Sequence, residues 1–147
     1  MDFTELFINN DAIETQTESS MELFKEMAID FTTGQVITSN DEIVILEKNE
    51  ALNVWIWKAL ETERNRYKAY SSSFGNDLFN EIGLVYDRTI KSQILFSEIY
   101  NCLIVNPYIL NVFDFQDELV DDISVKITFK YTSVYGNSTG GTGNVNF

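Results

Sequence analysis

The chain has 147 residues, 10 Lys+Arg against 23 Asp+Glu, a formal net charge of −13, no His, one Cys and one Pro. Without His there is no Ser-His-Asp or Cys-His catalytic set and no His-based zinc motif; with Cys102 alone there is no intrachain disulfide, no Cys-based zinc site and no paired-thiol redox motif. Binding to polyphosphate draws its affinity mainly from Lys and Arg, so a chain this acidic is not expected to bind nucleic acid or an anionic membrane.

The length fits one domain, which at this size buries enough surface to fold without a staple. Aromatic residues make up 14% of the chain, which argues against disorder over most of its length. Met1–Glu5 has no basic region followed by an apolar run, so no secretory signal is expected. The most apolar window, 99–110, is interrupted by Asn101, Asn106 and Pro107 and is too short to span a bilayer. A lone Cys suits a reducing cytoplasm.

Residues 1–27 are dominated by acidic side chains and read as an extended arm, with Phe3, Leu6, Phe7 and Ile8 as an apolar anchor; a solvated tail is the plainer alternative. Residues 28–38 alternate and are rich in β-branched side chains, Ser39-Asn40-Asp41 is a turn cluster, and Glu42–Glu47 is a second short strand, together a small antiparallel meander. Asn49 is expected to cap a helix whose apolar stripe is Leu52, Trp55, Ile56, Ala59 and Leu60. Val54 and Trp57 fall beside that stripe and either widen the core face or mark a second contact surface, the wide core face being preferred.

A segment with four of the ten basic residues follows, Lys58, Arg64, Arg66 and Lys68. Asn76 is expected to cap a short helix over residues 77–82, closed by Gly83, and Asp87 a longer one reaching about Val105 and ended by Asn106-Pro107. Residues 109–115 and 123–131 read as strands. In the second, Ile123, Val125, Ile127, Phe129 and Tyr131 face one side, and Ser124, Lys126, Thr128 and Lys130 the other. The two Lys on the wet side match the guards that proteins place on open sheet edges. Residues 133–147 read as a flexible Gly/Asn-rich tail. The expected fold is therefore α+β, with a small N-terminal β meander, central helices and a C-terminal antiparallel strand pair with an open edge, in one domain over residues 28–132.

Carboxylate chemistry is the one catalytic class that the residue types leave open, but among 23 carboxylates some pair always looks suitable. Asp114, Asp117, Glu118, Asp121 and Asp122 lack calcium-loop spacing and read as a solvated turn. Cys102 reads as a small buried hydrophobe. The Glu63-Arg64-Asn65-Arg66 segment offers guanidinium forks to carboxylates on this chain or a partner; the plainer alternative is cations placed at the negative end of a helix dipole.

The run Ala59–Tyr70, followed by Phe74-Gly75-Asn76-Asp77-Leu78, resembles the sheath-initiator family of contractile tails. These are baseplate wedge proteins of contractile phages and phage-tail-like bacteriocins, once labelled lysozyme-like. Asp30-Phe31-Thr32-Thr33-Gly34, followed by a strand and Glu50-Ala51, is similar to the branch of Gram-positive prophages and diffocin-type tailocins. The likeness covers residues 28–132. The chain departs from it at Glu63-Arg64-Asn65-Arg66, where many relatives have Glu-Pro-Arg or Gly-Glu-Arg; Arg66 fits the family's spacing to Phe74-Gly75 better, and Arg64 is the alternative.

The resemblance implies a structural, non-enzymatic protein without cofactor or metal. It implies a place in the baseplate, in a sixfold ring of copies around the tail tube. Glu63, Arg64 and Arg66 would dock on wedge proteins. The C-terminal sheet would receive the first ring of sheath arms, at Ile123, Val125, Lys126, Ile127, Thr128, Phe129, Lys130 and Tyr131. An open-edged strand pair is what strand addition requires. A carboxylate-dependent cell-wall glycan hydrolase is the alternative reading, and an acidic binding module that mimics nucleic acid ranks below it.

Overall fold

The computed structural model describes residues 21–77, 87–120 and 125–138. The arm up to residue 20, all but the first residue of the short helix expected over 77–82, Ile123, and the tail beyond 138 lie outside the described residues. The chain order is β1 (Lys25–Met27), β2 (Thr38–Ser39), β3 (Glu42–Ile43), β4 (Ile45–Glu47), α1 (Lys48–Glu61), α2 (Arg88–Ile104), β5 (Ile109–Leu119), β6 (Val125–Ser133) and β7 (Gly136–Ser138). This is the α+β arrangement expected, with a meander before the helices and an antiparallel sheet after them.

In the meander, β1 pairs antiparallel with β4, placing Met27 opposite Ile45, and β2 pairs with β3. β1 lies within the stretch read as an arm. Asn40 and Asp41 have φ of 52° and 63°, the two positive values that a tight hairpin needs to match strand twist. Gly34, at φ 73°, closes the preceding turn by donating its N–H to the Asp30 carbonyl at 2.7 Å.

α1 departs from the expectation at its start. Its N-cap is Glu47, and no side chain caps it, because the chain enters the helix directly from β4. Asn49 instead sits in the first turn and serves β6: its side-chain oxygen accepts from the Ser133 hydroxyl. The buried Tyr131 hydroxyl lies 3.1 Å from the Asn49 carbonyl and 2.7 Å from Asn53 Oδ1, donating between them.

The stripe reading of α1 holds and is wider than the minimum. Leu52, Ile56, Ala59 and Leu60 join one core with Leu95, Ile99, Cys102 and Leu103 of α2 and with the inner face of the sheet, namely Ile109, Val112, Val125, Ile127, Phe129 and Tyr131. Val54 is also buried, and Lys58 one turn further on donates to Glu26 of β1 at 2.8 Å, so this second side of α1 packs on the meander. Trp57 stacks on Phe31 at 5.6 Å. Each fully buried aliphatic side chain in such a core contributes roughly 1.5–3 kcal/mol.

α2 begins as expected, with the Asp87 carboxylate accepting from the Thr89 N–H at 3.3 Å, and it ends before Asn106-Pro107. The C-terminal sheet differs from the expected pair in having three strands, in the order β5-β6-β7. Gly136, at φ 107°, lets residues read as tail turn back, so β7 pairs with Tyr131–Ser133. β5 runs four residues beyond the expected Phe115, and Asp114, Asp117 and Glu118 lie on it rather than in a turn. Two register shifts along β5 mark bulges, one at the positive-φ Asp114 (φ 55°).

Tyr131→Phe keeps the packing and removes the donor shared by Asn49 and Asn53. A loss of about 1–2 kcal/mol in urea unfolding is expected, with unchanged far-UV circular dichroism.

Candidate partner-binding surfaces

The segment after α1 makes a loop closed at its base. The Asn76 N–H donates to the Thr62 carbonyl at 3.0 Å and the Arg64 N–H to the Asn76 carbonyl at 2.9 Å, forming a parallel bridge between Glu63 and Asn76. The Asn76 side chain is fully buried, and its amide nitrogen reaches the carbonyls of Ala59, Leu60 and Thr62 at 2.8–3.0 Å. Ala59 and Leu60 lie in the last turn of α1 and Thr62 is its C-cap, where carbonyls have no partner within the helix. Asn76 thus closes the end of α1; the short helix that it is expected to cap lies, beyond Asp77, outside the described residues. Gly75 makes room for this with φ 97°; a Cβ there would lie 2.8 Å from the Thr62 carbonyl oxygen.

The pinch separates the two Arg that the sequence leaves as alternatives. Arg64 turns inward: its Nη1 bonds Asp77 Oδ2 at 2.7 Å and its Nη2 approaches the Gly75 carbonyl at 3.5 Å. Arg66 turns outward, with a side chain 59% exposed. It pairs loosely with Glu63 at 3.5 Å and lies 5.8 Å from the Tyr67 ring centre. Glu63 is half-buried beside it.

On the sheet, Val125, Ile127, Phe129 and Tyr131 are buried against the helices, Lys126 and Thr128 are half-buried, and Lys130 is exposed. The alternation read for this strand is thus present over its described part, and four of the named side chains belong to the core. What β6 offers outward is its backbone. The Val134 N–H donates to the Tyr108 carbonyl on the β5 side, so even-numbered residues of β6 direct their backbone groups toward β5 and odd-numbered ones toward β7. The described part of β7 pairs as far as Tyr131, so among the described residues the N–H and C=O groups of Val125, Ile127 and Phe129 on that edge have no strand partner. The outer edge of β5 is open among them as well.

The expected Lys guards have cross-strand roles. Lys130 bonds Asp114 at 2.8 Å and holds that carboxyl below the usual carboxylate range. Lys126 sits opposite Glu118. Asp117 accepts from the Ser92 hydroxyl at 2.7 Å. Burial pushes the Cys102 thiol up to about 12, with its sulfur 3.7 Å from the Ala59 carbonyl, as fits a small core residue.

Two aromatic features were not singled out from the sequence. Tyr67, Tyr70, Phe74 and Trp55 form a chain of ring contacts with centroids 4.6–6.2 Å apart, running from the loop tip back to α1. Trp55 and Phe74 then line an open groove of about 290 Å³ with Phe24, Pro107 and Tyr108. A second ladder, Phe24–Tyr108–Tyr135, joins β1, the α2–β5 corner and the β6–β7 turn. The Tyr135 hydroxyl there accepts from the Phe24 N–H at 2.9 Å. The sequence signal for the first feature is the alternation of rings with cations and the absence of any acidic residue from 64 to 76.

No helix among the described residues is long and apolar enough to cross a membrane. The family model described as contractile injection system sheath initiator matches residues 25–136. No curated protein matches the chain.

Gly75→Ala and Asn76→Ala each act on the pinch and are expected to lower unfolding stability, by about 1–3 kcal/mol for Asn76→Ala. Arg64→Ala is expected to destabilise as well, whereas Arg66→Ala stays within about 0.5 kcal/mol of the parent. Urea titration of the four variants checks the division between an inward and an outward Arg.

Proposed function

The chain belongs to the contractile injection system sheath initiator family, and from that premise we propose that it links the baseplate wedge to the sheath and nucleates sheath assembly by accepting partner strands on its C-terminal sheet. Membership alone makes it a structural protein of a contractile tail, working with sheath and baseplate components. The observation that carries the finer reading is the backbone edge of β6 at Val125–Phe129, which is backed by buried side chains and has no strand partner among the described residues, where β7 pairs with Tyr131–Ser133.

Strand addition at such an edge draws affinity from main-chain hydrogen bonds. The receiving strand is already held flat by Val125, Ile127, Phe129 and Tyr131 in the core, so little ordering is lost on binding. Sheath arms are the strands assigned to this edge, and the outer edge of β5 is the second place for one. Arg66 and Glu63 form the wedge contact, and Arg64 positions the loop that carries them. Copies are arranged as a ring around the tube, and assembly in the cytoplasm precedes incorporation into the particle.

This function needs no bond-breaking chemistry. Glycan hydrolysis requires two carboxylates flanking a cleft. Among the described residues, the groove at Trp55 and Phe74 and the one lined by Phe96, Ser97, Tyr100, Asn101 and Phe115 carry no carboxylate.

Filling the β6 edge in cis tests the reading without disturbing the core. Residues 139–144 are replaced by an alternating Thr-Val repeat that extends β7 alongside Val125–Lys130. Particles from cells carrying this variant in place of the parent gene are expected to retain the protein in their baseplates and to lack extended sheaths under negative-stain microscopy. Sheaths of normal length would overturn the assignment of the β6 edge.

A further inference from the structure

Three cations and no acidic residue fall between positions 64 and 76, in a chain with 23 Asp+Glu. The fold sorts these cations. Arg64 is spent on Asp77 inside the pinch, and Lys58, just before it on α1, on Glu26. Arg66 and Lys68 remain on the outside of the loop, where Glu63 at 3.5 Å offsets Arg66 in part. Between and beyond them Tyr67 and Tyr70 are 52% and 49% exposed. The rings then lead through Phe74 to Trp55 and into the groove of about 290 Å³, whose lining holds no charged side chain.

The surface therefore has a basic rim at the loop tip and an aromatic trough behind it. Arg, Tyr and Trp are the side chains that dominate binding energy at protein interfaces. We propose that this loop and groove bind an acidic segment of a partner protein, with its carboxylates over Arg66 and Lys68 and a bulky apolar side chain in the trough between Phe74, Trp55 and Tyr108. The inference rests on the wedge-docking reading and names the chemistry of the partner at that contact. Charge selects the occupant. Two outward cations on a molecule of net charge −13 do not hold a nucleic acid, which needs many phosphate contacts. A short acidic segment makes only a few ion pairs and draws the rest of its affinity from ring contacts.

The full-length protein is probed with an array of overlapping peptides spanning the baseplate subunits of its own particle. The peptides it retains are expected to be net acidic and to carry Phe, Trp, Tyr or Leu. Their affinity is expected to fall about tenfold or more in the double variant Arg66→Glu with Lys68→Glu, and to weaken as salt is raised. Circular dichroism verifies that the double variant stays folded. Retention of neutral or basic peptides, an unchanged affinity in the double variant, no retained peptide, tighter binding of a single-stranded oligonucleotide, or self-association through this loop would each overturn the proposal. Purified particles separate this failure from a wider one. If the parent chain is absent from baseplates, the wedge-to-sheath function fails. If the parent chain and the double variant are incorporated equally and sheaths form, only the partner assignment fails.

Discussion

A helix whose last turn is buried on one side has carbonyls there that water cannot reach, and α1 ends in this way. Ala59 is fully buried and Leu60 nearly so, and the Asn76 amide lies within 2.8–3.0 Å of three carbonyls at this terminus. Leaving one such group unpaired costs about 1–3 kcal/mol, so the chain must bring a donor back to the point it has just left. That return explains much of the local structure. It pinches the loop at Thr62 and Asn76, demands a left-handed Gly75 beside the Thr62 carbonyl, and places Arg64 against Asp77. Arg66, two residues further on and outside the pinch, is left facing outward. The difference between the two Arg is thus a consequence of how α1 is terminated.

The other end of α1 is held by the sheet. Tyr131 and Ser133 direct their hydroxyls to the first turn of the helix, and the same residues begin the stretch that β7 covers. β6 therefore has two roles. Its side chains form a wall of the core, and its backbone, among the described residues, presents an edge from Val125 to Phe129. These roles do not compete, because alternate residues direct side chains to opposite faces while hydrogen-bonding groups lie in the plane of the sheet. An edge backed by buried Ile127 and Phe129 keeps its shape in the free chain, and an edge of that kind is also a hazard for self-pairing. The net charge of −13 opposes such association between copies.

The sequence conveyed those features that depend on local pattern. The period of α1, the Asp87 cap, the helix stop at Asn106-Pro107 and the alternation of β6 all follow from side-chain spacing and appear in the structure. It misled where a residue's partner is distant. Asn49 precedes a plausible helix start but serves a long-range contact with β6 instead, and the Asn76 amide reaches back to the far end of α1, a contact that its sequence neighbours do not announce. Residues 136–138 look like linker by composition, yet Gly136 turns them onto β6. The aromatic trough was illegible for the same reason, since Phe24, Trp55, Phe74 and Tyr108 are scattered along the chain and meet only after folding. The charge asymmetry of residues 64–76 was legible, but which Arg faces outward was not, because that depends on the closure at Asn76.

The two proposed partner surfaces are joined by one rigid element. α1 has 14 residues, which gives it a length of about 21 Å. Its first turn is bonded to the strand whose edge would receive sheath arms, and its last turn to the loop that would meet the wedge. Between these ends it is packed on three sides, by the meander, by α2 and by the sheet. A force applied at the sheet thus reaches the loop through a buried helix rather than through a flexible connection. The two surfaces also differ in the interaction they use. One relies on backbone pairing, which is insensitive to the partner's charge, and the other on cations and rings, which are not. A protein with both can therefore hold two unlike partners at once without either competing for the other's site.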